Sequence, residues 1–331
     1  MLNSKIARSS ILLCIIWIFS LSACTQEDNI EIPNESQQIA ENEQDTNGKI
    51  DTNGEQNMIQ SNANTNAGTN EPIREFEFCV TITELHLAGM CLRNEEIAFL
   101  ADLTNLEVLS LPMNQISDIT PLANLTNLRE LWLRDNQISD LTPLANLTNL
   151  ELLSIWDNEI SDLTPLAGLY NLVDLSLGGN QIEDITPLAN LTKLTILWID
   201  SNEIADIQPI SGLVNLTFLN LTNNQISDLM SLSGLNNLRE LWLPGNQIID
   251  ITPLSNLTNV TFLNLNANQI TDLTPLSNLI NLTSLALFDN EISDLTPLSN
   301  LTNLEGVSLR NNPITDWSPV AHVENVYGRP E

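Results

Sequence analysis

The stretch Leu106-Glu107-Val108-Leu109-Ser110-Leu111-Pro112-Met113-Asn114-Gln115-Ile116-Ser117-Asp118-Ile119-Thr120-Pro121-Leu122-Ala123-Asn124-Leu125-Thr126-Asn127-Leu128 decides the fold. It recurs ten times with small changes, and Asn114, Asn136, Asn158, Asn180, Asn202, Asn224, Asn246, Asn268, Asn290 and Asn312 stand 22 residues apart without a gap. Apolar residues alternate across Val108 to Pro112, so Leu109 and Leu111 face one way while Val108, Ser110 and Pro112 face the other. Leu109, Leu111, Ile116, Ile119, Leu122, Leu125 and Leu128 then form one apolar set. A single unit cannot enclose them, so each unit needs a neighbour on both sides.

Stacked strands lie about 4.8 Å apart, which makes ten of them a parallel sheet roughly 45 to 50 Å long. The frame L-x-x-L-x-L-x-x-N at this period is the signature of a leucine-rich repeat, one strand and one short helical turn per unit. The expected fold is an α/β solenoid, an arc with the parallel sheet on its concave face and short 3-10 or α-helical turns on its convex face. Behind each strand, Asp118-Ile119-Thr120-Pro121-Leu122 reads as a helix start, with Thr able to cap and Pro at the first helical position. Met230-Ser231 replaces the Thr-Pro pair, and the turn there is expected to be the least regular.

Two polar columns follow the same period. The Asn column reads as structural: a buried Asn satisfies backbone groups left unpaired where each strand turns, and successive Asn residues would bridge to one another. The Asp column, Asp118 through Asp316, reads as acceptors for the free N–H groups of the turns. A stack of carboxylates holding Ca²⁺ is the alternative, without the Gly-rich loop that such sites carry.

Asn136 to Leu150, Asn-Gln-Ile-Ser-Asp-Leu-Thr-Pro-Leu-Ala-Asn-Leu-Thr-Asn-Leu, closely resembles the repeats of internalins, bacterial surface proteins. The likeness spans Leu103 to Val326. It implies a concave sheet face that binds a protein, in the best-known members a host-cell receptor, and no catalysis by the repeats. Internalin repeats are usually followed by an immunoglobulin-like domain, which the residues up to Glu331 do not contain.

At the start, Lys5 and Arg8 precede the apolar run Ile11 to Leu21 and the small residues Ser22-Ala23-Cys24, the layout of a secretory signal too short to span a membrane. Leu21-Ser22-Ala23-Cys24 resembles a bacterial lipobox, which implies removal of residues 1–23 and lipidation of Cys24; an ordinary signal cut elsewhere is the alternative. Several acyl chains give stable anchoring where one does not. Thr25 after the cysteine resembles signals for outer-membrane delivery, so the expected location is the cell envelope, in the outer membrane or at the surface. Residues 24–72 are polar and acidic, too poor in large apolar groups to offset ordering entropy, and read as a disordered tether spanning about 35 to 40 Å.

Residues 73–102 read as an N-terminal cap and irregular first repeat: Phe76, Phe78, Val80 and Ile82 alternate, and Leu85 and Leu87 fit the Leu-x-Leu frame. Cys79 and Cys91 remain as an even pair in an exported chain, so a disulfide across the cap is expected, whereas a Zn site would have only His86 nearby. Ten repeats occupy 103–326 and a tail 327–331. Trp317 stands where earlier repeats carry Leu or Ile and reads as a core plug.

Outward strand positions lie six, four and two residues before each ladder Asn. They carry Glu130, Trp132, Arg134, Trp156, Asp174, Trp198, Asp200, Phe218, Glu240, Trp242, Phe262 and Phe288, the candidate partner-binding residues, with Asp135, Asp157 and Asp289 just before the Asn. The repeat frame does not need these rings, and Trp and Tyr are enriched at binding hot spots; the alternative is that Trp lies flat and shields the sheet. A formal charge of −31 disfavours nucleic acid and favours a protein with a basic surface. His86 and His322 stand far apart in the chain, and no nucleophile–base pair, phosphate loop or metal cluster accompanies them, so no enzyme, cofactor or metal is expected. The chain reads as a lipid-anchored protein-binding module; a structural envelope protein without soluble ligand and a host-cell adhesin are the alternatives.

Overall fold

The alternation read around Leu109 becomes a three-residue strand in every repeat. The structure, a computed structural model, describes residues 82–329. The signal, Cys24, the tether and the cap strand around Phe76 to Val80, with Cys79, lie outside the described residues. The strands are β1 Glu84–His86, β2 Val108–Ser110, β3 Glu130–Trp132, β4 Leu152–Ser154, β5 Asp174–Ser176, β6 Ile196–Trp198, β7 Phe218–Asn220, β8 Glu240–Trp242, β9 Phe262–Asn264, β10 Ser284–Ala286, β11 Gly306–Ser308 and β12 Asn325–Tyr327. They form one parallel sheet in sequence order, with every residue paired to its equivalent one repeat away, as in Leu109↔Leu131. Strands β2 to β11 correspond to the ten ladder asparagines; β1 and β12 extend the sheet at either end. The tail therefore begins inside a strand, because Tyr327 pairs with Ser308.

All seven apolar positions of the founding unit are at most 1% exposed, and their equivalents fuse into one core along the sheet. Trp317 is partly buried against the last of it. The back of each unit is a single 3-10 turn, such as Thr120–Leu122. Tight i→i+3 turns suit a segment that must reverse direction within a few residues while burying one leucine.

Thr does not cap these turns. Thr120 is their first residue, and its N–H donates to Asp118 Oδ1 at 2.8 Å; the same bond, at 2.8–2.9 Å, closes all ten turns from Asp118 to Asp316. The turn at Met230–Leu232 is also no less regular than the rest: Met230 N–H reaches Asp228 Oδ1 at 2.8 Å and its flanking dihedrals match those around Thr120. The aspartate and the buried Leu232 set the turn, so losing Pro changes nothing there. Length varies instead at Gln208–Gly212, which runs to five residues.

The Asn column is structural but does not bridge Asn to Asn. Asn136 Nδ2 donates to Leu111 O, Leu133 O and Arg134 O at 3.0–3.1 Å, and its Oδ1 accepts Ile116 N–H at 3.1 Å. Coupling runs through shared carbonyls: Leu111 O receives both Asn114 and Asn136, and Leu133 O both Asn136 and Asn158. A second asparagine ladder, not read from the sequence, runs along the exposed side. Asn127 Nδ2 donates to Thr104 O, and Asn149, Asn171, Asn215, Asn237, Asn259, Asn281 and Asn303 repeat that bond, each at 2.8 Å. Lys193 interrupts it and donates to Asn171 Oδ1 at 2.7 Å.

The sheet face as candidate binding surface

Because register is exact from strand to strand, side chains on the open sheet face form columns. The column six residues before the ladder Asn holds Glu130 on β3, Asp174 on β5, Phe218 on β7, Glu240 on β8 and Phe262 on β9. Four residues before the Asn stand Trp132, Trp198 and Trp242; two before it stand Arg134, Trp156, Asp200 and Phe288. All twelve candidate residues thus lie on one face, and all but the exposed Glu240 are half-buried. Their rings are less open than free surface residues because neighbours one strand away cover their flanks.

That cover differs along the face. Trp198 leans on Phe218 with ring centroids 4.3 Å apart, and Trp242 stacks on Phe262 at 4.4 Å. Trp242 Nε1 is buried there with no hydrogen-bond partner. On either side of Trp242, Asn220 and Asn264 are buried polar residues: Asn220 Oδ1 accepts from Thr222, and Asn264 Oδ1 accepts Asn266 N–H. The sequence reading did not single these asparagines out, although they occupy the same outward column as the tryptophans.

On the other half, Arg134 places its guanidinium carbon 5.4 Å from the Trp156 ring centre and its Nε 4.0 Å from Asp135. The next strand carries Gly178-Gly179, a pair the sequence reading left out. A side chain at Gly178 would meet Asp200 Oδ1 at 2.8 Å, and one at Gly179 would collide with Asp157 Oδ1. The two carboxylates lean over the diglycine from opposite sides.

Electrostatics separates these acids from those of the turns. Hydrogen bonds from the Thr120 hydroxyl and N–H hold the Asp118 carboxyl below its ordinary range, and Asp140, Asp162, Asp184, Asp250, Asp272 and Asp294 are held down in the same way. On the sheet face the direction reverses. Burial pushes Asp174 up to about 6 and raises Asp200; Asp157 is raised by burial and then by Asp135 and Asp200, with Arg134 opposing. Carboxylates removed from water without a countercharge prefer the proton.

Cys91 is disulfide-bonded. Among the described residues no group of three or more His, Cys, Asp or Glu side chains is placed to hold a metal ion, and no helix is long and apolar enough to cross a membrane.

The family described as Leucine Rich repeats (2 copies) matches residues 104–146, 148–190, 192–237, 236–278 and 280–322. The chain is a leucine-rich repeat protein. Within that family it is internalin-like: an internalin (inlF) from Listeria monocytogenes is 35% identical, with 77% of this chain and 89% of that one covered and a TM-score of 0.66. An internalin C2 (inlC2) of the same organism is 42% identical over 55% of this chain and 82% of its own, with a TM-score of 0.53. A leucine-rich repeat protein of Leptospira interrogans is similar at 25% identity, 74% and 78% coverage and a TM-score of 0.59. No curated protein matches the sequence. Leucine-rich repeats generally serve as scaffolds for protein–protein interaction.

Proposed function

We propose that this leucine-rich repeat protein is an exported bacterial envelope protein, held by lipid on Cys24, whose open sheet face binds a protein partner with a basic surface. The observation that carries the reading is the gathering of Trp132, Trp156, Trp198 and Trp242 on that one face, in columns where other repeats carry Ser, Asn, Pro or Gly without loss of the fold. Rings fixed on a rigid sheet offer large contact area at little entropic cost. Acids outnumber bases 42 to 11, which steers a basic partner toward the surface and makes its association rate fall with salt.

The internalin likeness supports an envelope location, the lipobox supports the anchor, and the disulfide on Cys91 supports an oxidising compartment, with Cys79 as its proposed partner. Capture of envelope and host-cell proteins by wild type and by Trp132→Ala/Trp156→Ala/Trp198→Ala tests the face. A partner that wild type captures and the variant loses supports recognition; identical lists favour the structural envelope role. Mass spectrometry of the membrane fraction tests the anchor, which an unmodified Cys24 would exclude.

A further inference from the structure

We infer that the shallow trough over β10 and β11 takes a proline-rich segment of the partner protein, held as a polyproline II helix. This rests on the sheet-face reading above and names the chemistry of one contact within it.

The outward side chains of β10 and β11 are all small: Ser284 lies beside Gly306, and Ala286 beside Ser308. The frame does not require this, since the first of these columns carries Phe218 and Phe262 in other repeats and the second carries Trp132, Trp198 and Trp242. All four small residues are half-buried, and a side chain begun at Gly306 would meet no atom within 4 Å. The floor is therefore open. Phe262 on β9 bounds it on one side and Tyr327 on β12, 63% exposed, on the other. Three strand spacings, about 14 Å, separate β9 from β12, which leaves room for one chain segment between the rings.

Asn264 says what that segment must bring. It is 8% exposed, and its Oδ1 already accepts Asn266 N–H at 3.1 Å. Its Nδ2 donates to none of the described residues, yet it is not sealed off, because among the described residues Trp242 Nε1 is the one fully buried side-chain N or O atom without a partner. Trp242 stands beside Asn264 toward β8, whereas toward β10 only the Ala286 methyl does. The amide thus offers the trough a donor, which a carbonyl oxygen can meet.

The floor then selects among segments that bear carbonyls. Strands β10 and β11 are paired on both sides within the sheet, so an ordinary peptide laid over their faces finds no backbone acceptor for its own N–H groups. Proline has no N–H, proline-rich segments dock between aromatic side chains, and their helix is ordered before it binds.

The test is anisotropy of a fluorescein-labelled, end-blocked nonaproline titrated with the full chain, with unlabelled nonaproline, an alternating Gly-Ser nonapeptide and chitotetraose as competitors. Nonaproline should bind saturably, the Gly-Ser peptide should compete roughly tenfold more weakly, and chitotetraose should not compete. Gly306→Phe, which places in the trough the residue that Phe262 carries in the same column, should abolish binding at the wild-type melting temperature. Asn264→Ser, after Ser154 and Ser176 in that column, removes the amide donor and should weaken binding about fivefold, the loss of one hydrogen bond. No saturable binding, equal competition by Gly-Ser, displacement by chitotetraose, or undiminished binding by either variant overturns the trough. If the trough fails while the triple Trp variant still loses its captured partner, the sheet-face reading stands without it; if the triple variant loses nothing, that reading falls first.

Discussion

Strands β4 to β6 and strands β7 to β9 share one frame and present opposite surfaces. In the second group each indole has found a phenyl ring on the next strand, Trp242 on Phe262 as Trp198 on Phe218 at the junction, and buried asparagines flank Trp242. In the first group Trp156 has Arg134 on one side and Gly178, covered by the Asp200 carboxylate, on the other, and burial raises the carboxyls of Asp157, Asp174 and Asp200. Leucines and asparagines beneath are the same in both. The difference teaches that the frame leaves its outward columns free, and that these are filled either by rings that cover one another or by acids that burial pushes toward the protonated form.

The largest effect should be indifferent to that contrast. Asn180 and Asn246 lie beneath the two regions with matching bonds, Oδ1 to the N–H of Ile160 and Ile226 at 3.0 Å and Nδ2 to three carbonyls each. Replacing either by Leu leaves buried backbone groups unpaired and should cost on the order of 1 to 3 kcal/mol in urea melts. Costs differing by more than about 1 kcal/mol would show that the frame is not common to both regions.

Asp174 sharpens the contrast. Its folded pKa, about 6, stands above the ordinary 3.8, so the native state holds the proton more tightly than the unfolded chain does. Stability from this group is present below about pH 4 and is lost as pH rises through 6. Asp174→Asn should therefore raise stability at pH 7.5 by on the order of 1 kcal/mol, discounted for partial exposure, and change it little at pH 4. A melting temperature that rises equally at both pH values would contradict the assignment.

In the self-satisfied region, Phe262→Ala removes the ring under Trp242 and opens its buried Nε1 to water. About 1 kcal/mol should be lost and the tryptophan emission should shift to the red; emission unchanged from wild type would mean the stack does not shield the indole. The smallest effect belongs to the residue before each ladder Asn, which has positive φ throughout, 53° at Asp157 and 51° at Ala267. Ala267→Gly should gain about 0.5 kcal/mol, the left-handed strain relieved less the added freedom of the unfolded chain. A loss would show that the Ala267 methyl makes contacts worth more than that strain.

Much of the fold was legible because the period is strict. The inward leucines, the structural asparagines and the capping aspartates all follow from spacing alone. Thr120 was given the cap that belongs to Asp118, since both residue types cap helices and only the geometry of a turn starting at Thr separates them. Met230 seemed a weak point because proline is conspicuous in sequence, whereas the turn is held by an aspartate two residues earlier and a leucine two residues later. The exposed ladder from Asn127 was visible as a second 22-residue column, but its partner, a carbonyl 23 residues back, was not. The face was harder: Trp198 meets Phe218 and Trp242 meets Phe262 across 20 residues, a spacing that exists only once strands are aligned. Gly178-Gly179 reads as an ordinary turn pair until the carboxylates on either side are placed.

The carbonyls shared between successive asparagines carry a consequence for how such a chain changes over generations. Deleting one whole 22-residue unit brings together partners equivalent to those removed, so each junction closes with the bonds it had before. Losing a single residue instead misaligns the bonds that span that one unit, while later units keep their spacing to one another. Slippage in whole units thus leaves every junction as it was, where a one-codon error disturbs one, and the stack can lengthen or shorten stepwise while new outward residues are tried on each added strand.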